Sequence, residues 1–359
     1  MLLTYESPFH CIAMSSSFKQ PFLSQDEEKT NAETKTNHQE LYQRYANSVS
    51  SSPSAEGLSH LILHRHHQGW HGSRMCIAGA MAADACFTAR PSDIVVATLP
   101  KSGTTWIKSL LYATVHRRKY PADAADHPFN SFGPHECVKF LEYQICTGKE
   151  TKDNLDELPD PRILATHVPF VALPAAVVAS GCKIVYMCRD PKDSMVSLWH
   201  FANKLRASEG LEPLPVETAA GLFCYGMSAL GPYWDHVLGY WRAHLARPEQ
   251  VLFFKYEEVW RDPPAHVRRL AAFVGLPFDV EEEENGAVDA IVRLCSFEHM
   301  RGLEVAKSGK TEFVVGAVED SSFFRPGGVG DWANHLSPEA ARRIDAITEA
   351  RFKGSGLSV

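Results

Sequence analysis

The sequence predicts an α/β protein built as three layers, with helices on both faces of a central parallel sheet. Two observations predict it. Short apolar runs bounded by turn signals alternate with longer stretches of helical periodicity, the pattern of βαβ units. The two loops richest in chemistry, after Leu99 and after Thr166, each follow such a run, where open parallel sheets bind their ligands. At 359 residues the chain can bury a sizeable core, and no internal repeat is visible.

In chain order, residues 1–56 are polar, rich in Ser, Gln and Thr and without sustained periodicity, so a loosely attached extension is expected. Met14 opens a second plausible start. Residues 57–359 are expected to form one domain. Strands are predicted at 94–99, 162–166, 183–188 and 251–256, each a short apolar run closed by a turn or a proline. Helical patterns cover 104–116, 173–179, 193–205, 216–230, 231–245, 264–274 and 287–294. A last helix is predicted at 338–352, with Ser337 as N-cap and Pro338 at its first position.

Composition narrows the function. With 45% apolar and 22% charged residues and a net charge of −7, no global basic field recruits nucleic acid or an acidic membrane. Nine scattered cysteines without a CxxC pair read as reduced thiols. Glu6, Pro8 and His10 interrupt any signal-peptide core, and Asp26, Glu27 and Glu28 argue against a transit peptide. The longest weakly polar run, 170–182, falls short of the ~20 residues of a spanning helix. A cytoplasmic protein is expected. His64, His66, His67 and His71 lack metal-ligand spacing and read as a solvated loop, and Glu281 to Glu284 as an exposed acidic face.

The chemistry begins at Leu99-Pro100-Lys101-Ser102-Gly103-Thr104-Thr105-Trp106. A strand, a tight turn and a helix opening on two threonines make a phosphate cradle. Free N–H groups and the helix dipole hold the anion. Thr104 and Thr105 add hydroxyl donors, and Lys101 adds a mobile charge. An ordinary Thr-capped helix is the plainer alternative. The loop is not a Walker A motif, because its lysine precedes its only glycine. That order points away from ATP hydrolysis.

The segment resembles the donor-binding loop of the cytosolic sulfotransferases, which transfer a sulfuryl group from 3′-phosphoadenosine 5′-phosphosulfate (PAPS) and release 3′-phosphoadenosine 5′-phosphate (PAP). The resemblance implies a P-loop-like sulfotransferase fold, with Lys101, Ser102, Gly103, Thr104, Thr105 and Trp106 at the donor.

Three further segments follow in the family's order. In the run 162–170 a short strand delivers His167, a residue suited to deprotonating a hydroxyl near neutral pH or, equally, to a hydrogen-bonded structural place. The resemblance implies the catalytic base. In 183–201, Arg189 and Ser197 stand at a strand end and in the following helix, where both can face one phosphate. An Arg–Asp ion pair at the junction is the plain alternative, and the resemblance implies the 3′-phosphate of PAPS. The run 323–332 resembles the family's Arg-Lys-Gly-x-x-Gly-Asp-Trp loop, with Arg325 and Gly327 matching and Pro326 in the lysine position. Losing that charge and N–H is expected to weaken donor binding roughly ten- to a hundredfold.

Softer matches imply that Ser296 and Phe297 flank the adenine opposite Trp106, and that Tyr256 contacts it. The aromatic run 223–241 looks like the plant branch and could line an acceptor pocket or pack between helices. Ala333, Ser337, Pro338 and Arg342 replace the family's dimer motif, so a monomer or weak homodimer is expected.

Across residues 58–354 the resemblance implies a plant-type cytosolic sulfotransferase with a small apolar hydroxyl acceptor: a flavonoid or other phenolic, a brassinosteroid or other steroid, or a hydroxyjasmonate. His167 would take the acceptor's proton and Lys101 would stabilise the bridging oxygen of the leaving PAP, with Thr104 and Thr105 on the 5′-phosphate. No metal is expected. A non-catalytic PAP-binding paralogue and a P-loop-type small-molecule kinase stay open as alternatives.

Overall fold

The computed structural model describes residues 39–66, 69–147, 158–325 and 328–359. Helix α1 covers 39–48. An antiparallel sheet of β1 (Ser54–Ala55), β2 (Leu63–His66) and β3 (Gly69–His71) follows, then helix α2 (Arg74–Cys86). Two expectations are corrected here. Residues 39–56 are not a loose extension, because Tyr42 is buried in the core and Val49 is buried too. The histidine tract is a hairpin rather than a solvated loop: its alternate side chains can turn inward, and His71 is buried. His67 lies outside the described residues.

The four predicted strands pair in parallel as β4 (Ile94–Thr98), β5 (Ile163–Thr166), β6 (Lys183–Cys188) and β7 (Val251–Lys255), in the order β5-β4-β6-β7. Each strand feeds two cores by strict alternation. Val95, Ala97, Ile184, Tyr186 and Cys188 point to one face, and Val96, Ala165, Val185, Met187 and Phe254 to the other. Strands buried on both faces carry apolar side chains at nearly every position, which is why they read as unbroken runs.

Between β4 and β5 lie α3 (Thr104–His116) and the short α4 (Pro134–Cys137), and α5 (Ala175–Ser180) precedes β6. After β6 come α6 (Pro191–Ser208), α7 (Val216–Cys224) and α8 (Tyr233–Ala246). Beyond β7 follow α9 (Tyr256–Arg261), α10 (Pro263–Phe273), α11 (Val280–Glu284), α12 (Ala287–Leu294), α13 (Phe297–Gly302) and α14 (Glu304–Ser308). A hairpin of β8 (Lys310–Phe313) and β9 (Gly316–Glu319) and the C-terminal α15 (Pro338–Phe352) complete the order. Helices α6, α7, α8 and α15 cover one face, and α3, α10 and α12 the other. The three-layer α/β/α architecture is therefore the observed one.

Several boundaries moved for local reasons. The helix expected over 216–230 stops at Cys224, and Gly226 turns the chain at φ +75°. The strand expected to reach 256 ends at Lys255, because Tyr256 opens α9. The acidic face on α11 is only partly exposed. Glu282 takes hydrogen bonds from Arg117 at 2.9 Å and Arg118 at 3.1 Å, which hold its carboxyl down at about 2 against its partial burial.

At the opposite end of the sheet from the loops of interest, Arg162 grips Asp93 in a bidentate pair at 2.7 and 2.6 Å, both residues buried. Asp93→Ala leaves a buried guanidinium without this partner. It is expected to lower unfolding free energy by about 3–5 kcal/mol, read as a drop in the urea midpoint at unchanged m-value. Among the described residues, no helix is long and apolar enough to cross a membrane, no cluster of ligating side chains could hold a metal, and eight cysteines are free thiols.

Candidate active site

A cavity of about 750 Å³ opens at the carboxyl ends of the central strands, at the crevice where the strand order reverses about β4. Lys101, Gly103, Thr104, Thr105, Trp106, His167, Arg189, Ser197, Tyr256, Ser296, Phe297 and Arg325 all line it. Six sequence segments far apart in the chain thus converge on one chamber. Gly327 and Pro326 lie outside the described residues.

The donor loop leaves β4 in a strained path. Lys101 sits at φ +68°, a costly region for a side-chain-bearing residue and one found at ligand clamps. Gly103 N-caps α3 at φ +91°, and a Cβ there would come within 2.5 Å of Met187 and 2.7 Å of the Tyr256 ring. Thr98 and Thr104 share a hydrogen bond of 2.7 Å between their hydroxyls. Ser102 departs from expectation. Its buried hydroxyl faces Ser194 on α6 at 3.1 Å, so it braces the loop and does not line the cavity. Burial pulls Lys101 down to about 7, and the cations Arg325, Arg189 and Lys204 add to the effect.

His167 follows the last residue of β5, and its ring orientation is tightly set. Nδ1 lies 2.7 Å from the Thr98 carbonyl, an acceptor, so the proton sits on Nδ1 and the Nε2 lone pair is free. Among the described residues none hydrogen-bonds to Nε2. Burial pushes the His167 pKa to about 3, so the ring is neutral at physiological pH. Its backbone N–H donates to Glu142 at 2.6 Å, and Thr166 donates to the other carboxyl oxygen at 3.0 Å. Its carbonyl accepts from His236 Nε2 at 2.9 Å, and His236 Nδ1 in turn accepts from the Tyr186 hydroxyl at 2.9 Å.

Glu142 and His236 were missed from sequence. Glu142 sits on a π-helical turn, Leu141–Ile145, and Phe140 just before it bridges Ala165 of β5. Nothing in the local pattern around Glu142 announces a buried carboxyl. Burial raises its pKa to about 7.

On the other side of the crevice, Arg189 is buried. Nη2 donates to the Gly328 carbonyl at 3.1 Å and lies 3.6 Å from Asp193, and the guanidinium stacks 4.5 Å over the Tyr256 ring. Its Nε is buried without a partner among the described residues. An orphaned guanidinium N–H is costly, and an anion in the cavity would satisfy it. Asp193 accepts from the N–H groups of Gly330 at 2.8 Å and Trp332 at 2.9 Å, tethering residues 330–332 to α6. Arg325 pairs with Asp331 at 2.6 Å.

Trp106 and Tyr256 meet edge to face at 5.3 Å, and both line the cavity together with Phe297. Ser296 caps α13, accepting the His299 N–H at 3.2 Å. Phe140, Tyr143, Phe201, Phe313 and Phe323 add aromatic walls, interrupted by polar lining residues such as His60, His135 and Glu209. The run 223–241 does not supply them. Phe223, Tyr233, Trp234 and Tyr240 are fully buried in helix packing, and Tyr225 is exposed. Two of these position the site from behind, Tyr233 through the Arg189 carbonyl at 2.5 Å and Tyr240 through the Val168 carbonyl at 2.9 Å.

Comparisons with known proteins bear on the family and the fold. The family model described as "Sulfotransferase domain" matches residues 91–356. Cytosolic sulfotransferase 17 of Arabidopsis thaliana is 45% identical over 284 residues, covering 78% of this chain and 80% of the relative. The crystal structure of a proposed steroid sulphotransferase from Arabidopsis thaliana superposes with a TM-score of 0.68 at 34% identity, over 95% of this chain and 99% of that one. Mouse sulfotransferase SULT7A1 complexed with PAP superposes with a TM-score of 0.63 at 26% identity, over 82% and 95% of the two chains.

Proposed function

We propose, from the premise that this chain belongs to the sulfotransferase family, that it moves a sulfuryl group from PAPS to the hydroxyl of a small apolar acceptor. The observation that carries the reading is one chamber holding both a neutral histidine with a free Nε2 and a buried arginine with an orphaned N–H. PAPS supplies the sulfuryl group when bound. Arg189, Ser197 and Arg325 would hold its 3′-phosphate, and Trp106, Tyr256, Ser296 and Phe297 its adenine. His167 Nε2 would take the proton of the acceptor hydroxyl as that oxygen attacks sulfur. Thr104, Thr105 and Lys101 would hold the 5′-phosphate, with Lys101 stabilising charge on the departing oxygen. The chemistry is positioning and electrostatics, as in phosphoryl transfer.

The aromatic walls suit a planar or fused-ring acceptor, of the steroid or flavonoid class. Residues 39–359 are proposed to carry the activity as one domain, in the cytosol as for the cytosolic relative.

Donor binding tests the reading, and its pH dependence carries a sign. A Lys101 that titrates near 7 when free must gain its proton to meet a polyanion. PAP binding is therefore expected to take up a proton above pH 7 and to weaken as pH rises further. Calorimetry at pH 8 in buffers of different ionisation enthalpy should show that uptake, and Lys101→Met should abolish it. PAP should also bind far more tightly than 5′-AMP. ATP binding as tightly as PAP would instead support a kinase, and 5′-AMP binding as tightly as PAP would contradict a 3′-phosphate site.

A further inference from the structure

Beneath the donor loop lies a second group of buried polar side chains that the chemistry above does not use. Lys108, on α3, is buried. Its Nζ donates to the Val138 carbonyl at 2.8 Å, lies 3.1 Å from His135 Nδ1 and sits 3.3 Å from the centre of the Phe140 ring. His135, at the start of α4, is buried too, and its Nε2 lies 3.2 Å from the Thr105 hydroxyl. Both Thr105 and His135 line the cavity; Lys108 stands one layer behind.

The direction of this chain of hydrogen bonds follows from its ends. Nζ faces a carbonyl, an aromatic face and an imidazole nitrogen, so beyond the proton it gives to Val138 it has another for Nδ1, as an ammonium or as a neutral amine. Burial holds the Lys108 pKa well below its ordinary value, and the charge of Glu142 works against that. Burial also holds His135 well below its ordinary value, so its ring is neutral and carries a single proton. If Nδ1 accepts from Lys108, that proton is on Nε2 and is donated to the Thr105 oxygen. A hydroxyl whose oxygen accepts from behind is left to donate its own proton forward, into the cavity.

We propose that Lys108 and His135 form a one-way relay that presets the Thr105 hydroxyl as a donor to the anionic end of the nucleotide, which makes His135 a positioning residue for donor binding. The inference rests on the sulfotransferase reading above. A merely structural role is the competing account, since the His135 ring also packs 4.3 Å from Phe323 and stacks 5.6 Å from Phe140 at 18°.

A double-mutant cycle on PAP affinity separates the two, because only a relay makes His135 act through Thr105. Thr105→Val and His135→Phe are each expected to weaken PAP about tenfold, the effect of one hydrogen bond to a charged group. The double variant should bind no more weakly than Thr105→Val alone. His135→Gln, whose amide N–H can stand in for Nε2–H, should recover to within about threefold of the parent. Additive losses, near a hundredfold in the double variant, would overturn the relay, as would parental affinity in His135→Phe. The wild-type protein gives an independent reading by ¹⁵N NMR of the histidine rings, with His135→Gln supplying the assignment. The Nε2–H tautomer of His135 is expected, and the Nδ1–H tautomer contradicts the relay whether or not the variants fold. Failure of the parent to bind PAP at all would instead contradict the donor reading on which the relay depends.

Discussion

Replacing His167 with alanine is expected to lower kcat by roughly 10²–10⁴-fold, the usual contribution of a positioned general base, while PAP affinity stays within a few-fold. The expectation follows from what holds the ring. The Thr98 carbonyl fixes the proton on Nδ1, Glu142 and His236 clamp the backbone on either side of the ring, and Nε2 is left with no competing donor. None of these bonds touches the proposed nucleotide anchors at Arg189, Ser197 and Arg325, so donor binding should survive. The protonation state points the same way. Because burial lowers the His167 pKa to about 3, the free enzyme keeps a neutral base at all pH values above that. The acid limb of kcat/KM due to His167 should therefore fall well below the 6.5 of an ordinary histidine. An acid limb at 6.5 that His167→Ala leaves in place would remove this residue from the role.

The second large effect is expected at Arg189. Arg189→Met should weaken PAP by roughly two to three orders of magnitude, the scale for truncating one member of a buried, hydrogen-bonded charge pair. Two losses combine. The orphaned Nε disappears as a donor to the 3′-phosphate, and Asp193 loses a cation 3.6 Å away while still holding residues 330–332 through Gly330 and Trp332. Arg189→Lys should rescue little, because a point charge replaces neither the planar fork nor the stacking over Tyr256. Titration with 5′-AMP beside PAP gives the control. The variant should bind 5′-AMP much as the parent does, and an equal loss for both ligands would show general damage to the site.

Much of the site was legible because its chemistry is local in sequence. The loop after β4, the strand that delivers His167 and the strand-to-helix junction at Arg189 are each a continuous run that brings its residues to the cavity. What was not legible depends on contacts between distant segments. Glu142 reaches the His167 backbone from a π-helical turn that no periodicity marks, and His135 meets Lys108 and Thr105 only because α4 packs on α3. Ser102 illustrates the converse. It belongs to the motif by position, but its side chain turns away from the cavity toward Ser194. The same limit explains the aromatic run 223–241, whose rings share helical spacing with a pocket lining and with a core, and form a core. At the N-terminal side, β1 to β3 are two to four residues long, too short for a strand pattern to register.

The measurement that tests the central claim most directly is transfer of labelled sulfuryl from PAPS to pooled phenolics, steroids and hydroxylated oxylipins, with His167→Ala alongside. The account predicts a sulfated product from the parent protein and none above background from the variant. A parent protein that binds PAP yet sulfates nothing in any pool would contradict it, and would mark the chain as a PAP-binding protein without transferase activity.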